Sequence, residues 1–375
     1  MRLNRLEGKD CVMALGILLI AAIMMLLYRF EVETNHKESP PKIGFVMLGG
    51  MTDEGWNKSQ YEAIREVTDA MGAQLLVKQY IREGTGACTK AVEELSAEGA
   101  GMIFLSSYSY SMEAKNFVGR YPQIAFATNS AEHHAKNMTA YFVRMYQGRF
   151  LAGIIAGLKT KTGIVGYVAA MPNSEVNRGI NAFTLGVRRV NPKAKVLVTW
   201  TNAWQDEEKE MANARLLVNK GNADVLTYHQ DEKATADACE EMGIDFIGYH
   251  EVLTGYSPHN LTNLVCRWEI YYRDIVQRYL KGEINSVNNH WIGIDDAPGP
   301  EQEVVYLSPF SSAITEEMTR EAEDWHQRIL GGYRVFEGPL YDNRGNLRVE
   351  AGETIGDDAL LEHIDWLVQG VEILE

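Results

Sequence analysis

From Lys42 onward the chain alternates short apolar runs with stretches of helical periodicity, and it does so twice over, which restricts the possible fold more than any other property of the sequence. The runs Lys42 to Leu48, Gln74 to Ile81, Gly101 to Leu105 and Gln123 to Thr128 read as strands. Between them Tyr61, Ile64, Val67 and Met71 recur at helical spacing, and Lys90 to Ala97 and Ala114 to Gly119 read as further helices. A long helix, Tyr146 to Leu158, then introduces a second series with strands Gly163 to Ala169, Lys195 to Trp200, Asp224 to Tyr228 and Asp245 to Ile247, and helices near 176–190, 208–220 and 233–242. Apolar strands joined through helices give parallel sheets covered on both faces. The expectation is an α/β body of two doubly wound lobes, 42–158 and 159–289, with a tail, 290–375, that crosses back to complete both. Within that tail Ser308 to Trp325 reads as a turn and helix and Ala359 to Val371 as a closing helix.

Ahead of this body lie a short N-terminus, 1–11, an uncharged apolar run, 12–28, and a polar spacer, 29–41, that ends in Pro40 and Pro41. As a helix the run covers roughly 26 Å, close to the ~30 Å hydrocarbon core of a bilayer. Arg2, Arg5 and Lys9 precede it and Glu31, Glu33 and Glu38 follow, so the N-terminus is read as cytoplasmic and the body as extracytoplasmic. A signal segment is the other reading. No small-residue cleavage pattern follows Leu27, which favours an uncleaved transmembrane anchor holding the body at the cell membrane. Cys11 precedes the run, whereas a lipidated cysteine would follow it.

The net charge of −15 argues against nucleic acid as a partner, since that needs basic patches, and favours a small molecule. Cys88, Cys239 and Cys266 form an odd set without C-x-x-C spacing and read as buried free thiols. The sequence holds no G-x-G-x-x-G, Walker lysine motif, H-E-x-x-H or G-x-S-x-G, so no cofactor, metal or catalytic residue is assigned and the protein is not read as an enzyme. His133, His134, His259, His326 and His363 are read as surface or cap residues.

In open α/β sheets a ligand sits beyond the carboxyl ends of the strands, so two such lobes place a site in the cleft between them. After the first strand come Asp53, Trp56 and Asn57: an indole face, a carboxylate and an amide suited to the edge of a heteroaromatic ring. The alternative is that Trp56 packs under its own helix with Asp53 as a cap. Ser106 and Ser107 follow the third strand, as ligand donors or as helix caps. In the second series Trp204, His229 with Asp231, and His250 stand at successive strand ends, while Glu175 and Arg178, three apart on one helix, read as a surface or hinge ion pair. Aromatic rings on both walls with hydrogen-bonding groups between them make a sandwich for a planar, polar molecule.

From Lys42 to its end the chain resembles the basic membrane protein family of solute-binding proteins that serve ABC importers. The resemblance rests on Asp53-Glu-Gly-Trp-Asn57, Tyr146-Gln-Gly-Arg-Phe-Leu-Ala-Gly153, Gly163-Ile-Val-Gly-Tyr-Val-Ala-Ala170, Gly179-Ile-Asn-Ala-Phe-Thr-Leu-Gly186, the segment from Trp200 to Asp206, Gly221-Asn-Ala-Asp224, and Phe336-Glu-Gly-Pro339 with Gly345. It implies two Rossmann-like lobes with a hinge, as in type I periplasmic binding proteins, a purine or purine nucleoside as ligand, and a permease as partner. Where nucleoside-binding members often carry an aspartate that bonds the ribose, this chain has Tyr249 and His250, so the resemblance points to a purine base such as adenine first and a nucleoside second. A membrane-anchored purine sensor or regulator and a nucleoside-processing enzyme are the alternatives. Relatives usually carry a lipidated cysteine where this chain keeps an apolar segment.

Overall fold

The computed structural model describes residues 19–25, 39–53, 55–129, 135–253, 255–283, 289–297, 299 and 302–375. It divides into two units, 1–41 and Lys42–Glu375. In the first, residues 19–25 are helical, and the rest of the apolar run 12–28 lies outside the described residues, as does the pair His133 and His134. Among the described residues no helix is long and apolar enough to cross a membrane.

The second unit holds strands β1 (Lys42–Val46), β2 (Gln74–Lys78), β3 (Met102–Leu105), β4 (Ala125–Thr128) and β5 (Met138–Val143), then β6 (Ile164–Ala169), β7 (Lys195–Trp200), β8 (Val225–His229), β9 (Asp245–Tyr249) and β10 (Asn260–Cys266). The tail supplies β11 (Asn289–Ile292), β12 (Val305–Leu307), β13 (Leu340–Tyr341), β14 (Leu347–Val349) and β15 (Val371–Ile373). One sheet runs β11-β5-β4-β3-β1-β2 and is wholly parallel; the other runs β12-β10-β9-β8-β6-β7-β15 and is parallel except at β12. The α/β reading with parallel-sheet lobes therefore holds. Burial on both faces explains the continuous apolar composition of the central strands.

The connectivity departs from the expected lobe limits in two respects, one being that the helix Met145–Lys159, read with the segment 42–158, packs on second-lobe elements. The chain leaves the first sheet after β5, builds β6 to β10, and returns early, because the helix Trp268–Leu280 packs on the helix Trp56–Ala70 before β11 pairs with β5. It then crosses once more to β12. Residues 268–283 thus lie with the first lobe rather than with the segment 159–289. The closing helix read over Ala359 to Val371 is also corrected. A short helix, Asp357–Glu362, gives way to extended chain and then to β15, which pairs with β7. The backbone there is satisfied by side chains instead of by helical bonds: Asn177 Nδ2 donates to the Ile364 carbonyl at 2.9 Å, and Asn181 both donates to the Trp366 carbonyl at 2.9 Å and accepts from the Val368 N–H at 2.7 Å. Apolar periodicity marked burial correctly and misassigned the backbone.

Those asparagines sit on the helix Ser174–Val190, which starts at an Asn173 cap whose Oδ1 accepts from the Val176 N–H at 2.9 Å and stops short of Pro192. It crosses the helix Met145–Lys159 backbone to backbone: a Cβ on Gly153 would lie 2.1 Å from the Phe183 carbonyl oxygen, and one on Gly186 2.1 Å from that of Phe150. Gly153→Ala is therefore expected to lower unfolding free energy by about 1–3 kcal/mol in urea titration, the usual cost of overpacking; an unchanged midpoint would show that the two helices part freely.

Candidate ligand-binding site

The loop after β1 delivers the first wall. Asp53 Oδ1 accepts from the N–H groups of Gly55 at 3.3 Å and Lys58 at 2.7 Å, closing the first turn of the helix Trp56–Ala70. Burial outweighs these bonds and raises its carboxyl above the usual range, and Oδ2 is buried with no hydrogen-bond partner. Asn57 turns back toward the loop, its Oδ1 accepting from the Gly49 N–H at 3.0 Å. Trp56 leads the helix; its indole N–H donates to the Ser106 carbonyl at 2.9 Å, and its ring lies edge-on to Trp268 and His250, each 5.1 Å away between centroids. Ser106 spends its hydroxyl on the Val46 carbonyl at 2.8 Å, and Ser107 donates to Glu83 Oε1 at 2.6 Å.

The second wall comes from the ends of β7, β8 and β9. Trp204 follows β7, and its indole nitrogen is buried without a partner. His229, the last residue of β8, has Nε2 3.3 Å from the Tyr249 hydroxyl and 3.6 Å from Glu175 Oε1, with Nδ1 3.5 Å from the Tyr167 hydroxyl. Burial, followed by the fields of Arg149 and Arg178, pushes its pKa well below the ordinary value and keeps the imidazole neutral. His250 lies against the Tyr249 ring, 3.4 Å between centroids, in a left-handed backbone conformation with φ +68°. Such a conformation is uncommon for a residue with a side chain and recurs where a site fixes the backbone. Its Nδ1 has no hydrogen-bond partner, and burial likewise depresses its pKa.

Between these walls is a narrow slot bounded by Trp56, Ser107 and Tyr108 from the first lobe and by Glu175, Trp204, His229, Asp231 and His250 from the second. Six of the nine residues singled out by the sequence thus meet there, while Asp53, Asn57 and Ser106 do not border it: Asp53 Oδ1, Asn57 Oδ1 and the Ser106 hydroxyl are held in loop and strand hydrogen bonds, and Asp53 Oδ2 and Asn57 Nδ2 are buried without partners. The lobes touch across the slot: the Trp56 N–H donates to the Asp231 carbonyl at 3.1 Å, and Lys58 pairs with Glu251 at 2.8 Å. A larger open groove, about 630 Å³, lies beside Arg188, Arg189 and Tyr333. None of the expected site residues borders it.

Two of the bounding residues, Tyr108 and Glu175, were not singled out. Glu175 and Arg178 do not form the surface pair that their spacing suggests, for both are buried. Arg178 donates to the Leu360 carbonyl at 2.5 Å, while Glu175 faces the slot. Burial pushes the Glu175 carboxyl up to about 7, opposed by Arg178 and Arg149. A carboxyl whose pKa rises on folding keeps its proton longer in the native state, so its contribution to stability is complete below about 4.5 and is lost as pH rises to about 7. Glu175→Gln removes that loss. In thermal unfolding the variant is expected to match the wild type near pH 4 and exceed it by on the order of 1–3 kcal/mol near pH 8; equal midpoints at both pH values would refute the assignment.

Arg149 is fully buried on the helix Met145–Lys159, donating to the Tyr228 carbonyl at 3.0 Å with its guanidinium 3.8 Å above the Tyr249 ring. It supplies positive field behind the second wall without entering the slot. Among the described residues no cluster of histidine, cysteine or carboxylate side chains has the arrangement of a metal site, and Cys88, Cys239 and Cys266 are buried free thiols.

Known proteins place this geometry in context. Residues 41–330 match the model of the Bmp family, described as ABC transporter substrate-binding protein PnrA-like. A purine-binding protein of Brucella abortus is 31% identical over 341 residues, covering 90% of this chain and 94% of its own. A putative ABC transporter glucose-binding protein of Haloferax volcanii is 27% identical, covering 91% and 84%. Among solved structures, an ABC transporter solute-binding protein of Aeropyrum pernix superposes with a TM-score of 0.68 at 16% identity, covering 78% of this chain and 92% of that one, a likeness of fold. With the family model spanning both lobes and a relative of this identity aligned along nearly the whole length, the chain belongs to the Bmp family of PnrA-like ABC transporter substrate-binding proteins.

Proposed function

We propose that the protein captures a purine base, adenine-like, in the slot between its lobes and passes it to the permease of an ABC importer, the body standing outside the cytoplasmic membrane and moored by the apolar run 12–28. The observation that carries this reading is the slot itself: two indoles, Trp56 and Trp204, on opposite lobes, with carboxyl, imidazole and indole N–H groups between them. The name of the Brucella relative supports the purine class. By the resemblance, His250 and Tyr249 stand where nucleoside-binding members often carry an aspartate that bonds the ribose, and the His250 ring lies against Trp56.

Mass spectrometry of the small molecule carried through purification, followed by calorimetry with adenine, adenosine and glucose, tests it. The expected result is a retained purine base and tighter binding of adenine than of adenosine. Glucose binding without purine binding, the reading that the Haloferax relative's name supports, would overturn it. Release of free base from adenosine on incubation would instead favour an enzyme.

A further inference from the structure

Asp231 borders the slot, as does Glu175. It is 5% exposed and is pinned from both lobes through its backbone, its carbonyl accepting from the Trp56 N–H at 3.1 Å and its N–H donating to the Trp204 carbonyl at 2.9 Å. Four other carboxyls act on it: Asp53 and Glu83 from the loops after β1 and β2, Glu175 from the start of the helix Ser174–Val190, and Glu210 from the helix Glu207–Asn219. The nearby cations are occupied elsewhere. Lys58 pairs with Glu251, Lys233 with Asp237, Arg178 donates to Leu360 and Arg149 to Tyr228, and His229 and His250 are held neutral. Among the described residues no ion pair to the Asp231 carboxyl is found. Two of the four carboxyls belong to the first lobe, so closing the cleft crowds like charges around a group that it also removes from water.

We infer that Asp231 meets the ligand as a neutral carboxylic acid, its O–H donating and its carbonyl oxygen accepting, so that the slot selects a heterocycle with an acceptor beside a donor and draws in one proton from solvent as it shuts. This rests on the purine reading and refines it. A charged carboxylate only accepts, and would suit an edge with two adjacent donors, such as the ring N–H and amine of guanine. A neutral acid donates once and accepts once, matching the ring nitrogen and amine of adenine. Burial and the four surrounding carboxyls hold the Asp231 carboxyl well above the usual carboxylate range. The ligand-free, open form exposes the group to water and lets it ionise, so proton uptake accompanies capture.

Calorimetry of the full chain with adenine and guanine, from about pH 6 to 9 and in two buffers of different ionisation enthalpy, tests this. Adenine affinity is expected to fall about tenfold per pH unit on the alkaline side, with one proton taken up per ligand and guanine bound at least tenfold more weakly. Asp231→Asn, whose amide also offers a donor and an acceptor but does not ionise, is expected to lose the pH slope and the proton uptake, whatever its affinity. Should that variant fail to fold, the buffer dependence of the wild type decides alone. Tight adenine binding without pH slope or proton exchange, or a preference for guanine, would overturn the inference while leaving the purine reading intact. Absence of purine binding at every pH removes both.

Discussion

Gly55→Ala is expected to lower ligand affinity by at least about a hundredfold while leaving thermal unfolding of the ligand-free protein where it was. A Cβ at Gly55 would lie 1.7 Å from the Asp231 carbonyl oxygen and 2.6 Å from its carbon, contacts no relaxation of a side chain can relieve because both partners are backbone. The clash lies wholly between lobes, so it penalises the shut form and spares each lobe's own core. If ligand binds through the shut form, apparent affinity falls in proportion to that form's population. Calorimetry paired with thermal melts of the free protein would check this. A lower melting temperature with intact affinity would mean the lobes stay together without ligand, and the idea of a moving cleft would be abandoned.

Trp56→Ala is expected to act on both counts. Its indole is buried, holds the Ser106 carbonyl, and packs on Trp268 and His250, so truncation should cost about 3–5 kcal/mol of stability. It also bounds the slot, where loss of a stacking surface should weaken purine binding by a further ~1–3 kcal/mol. The two effects separate in Trp56→Phe, which keeps an aromatic face while losing the indole N–H and part of the ring area; affinity there should recover to within about tenfold. Unchanged affinity in a folded alanine variant would place Trp56 in the core alone.

How much of this was written legibly in the chain differs between backbone and site. The β1, β3, β6, β7 and β8 strands stand out because each is a short apolar run bounded by glycine, polar or turn residues, buried on both faces. β5 and β10 escaped notice although both are fully buried, because Thr139, Asn260, Thr262 and Asn263 interrupt their apolar composition. In β10 those polar groups find partners in one another and in Ser308, a tail residue far away in sequence. Trp56, Trp204, His229, Asp231 and His250 were visible because polar and aromatic residues at strand ends have few structural duties in common. Glu175 was hidden. Its spacing to Arg178 is that of a surface pair, and nothing local reveals that the tail carbonyls of Leu360 and Leu361 claim the arginine. Asn57 and Ser106 lie off the slot: backbone groups at Gly49 and Val46 engage Asn57 Oδ1 and the Ser106 hydroxyl, while Asn57 Nδ2 is buried without a partner.

The position of β11 in the first sheet has a consequence for how the protein is made. That strand is supplied by residues 289–292, so the first lobe keeps an unpaired rim along β5 until nearly the whole second lobe has left the ribosome. An open strand rim invites pairing with other chains, and contacts between residues so distant in sequence form slowly. Maturation of the two lobes is therefore a joint event, and a chain cut short before residue 289 leaves neither a finished binder nor half of one.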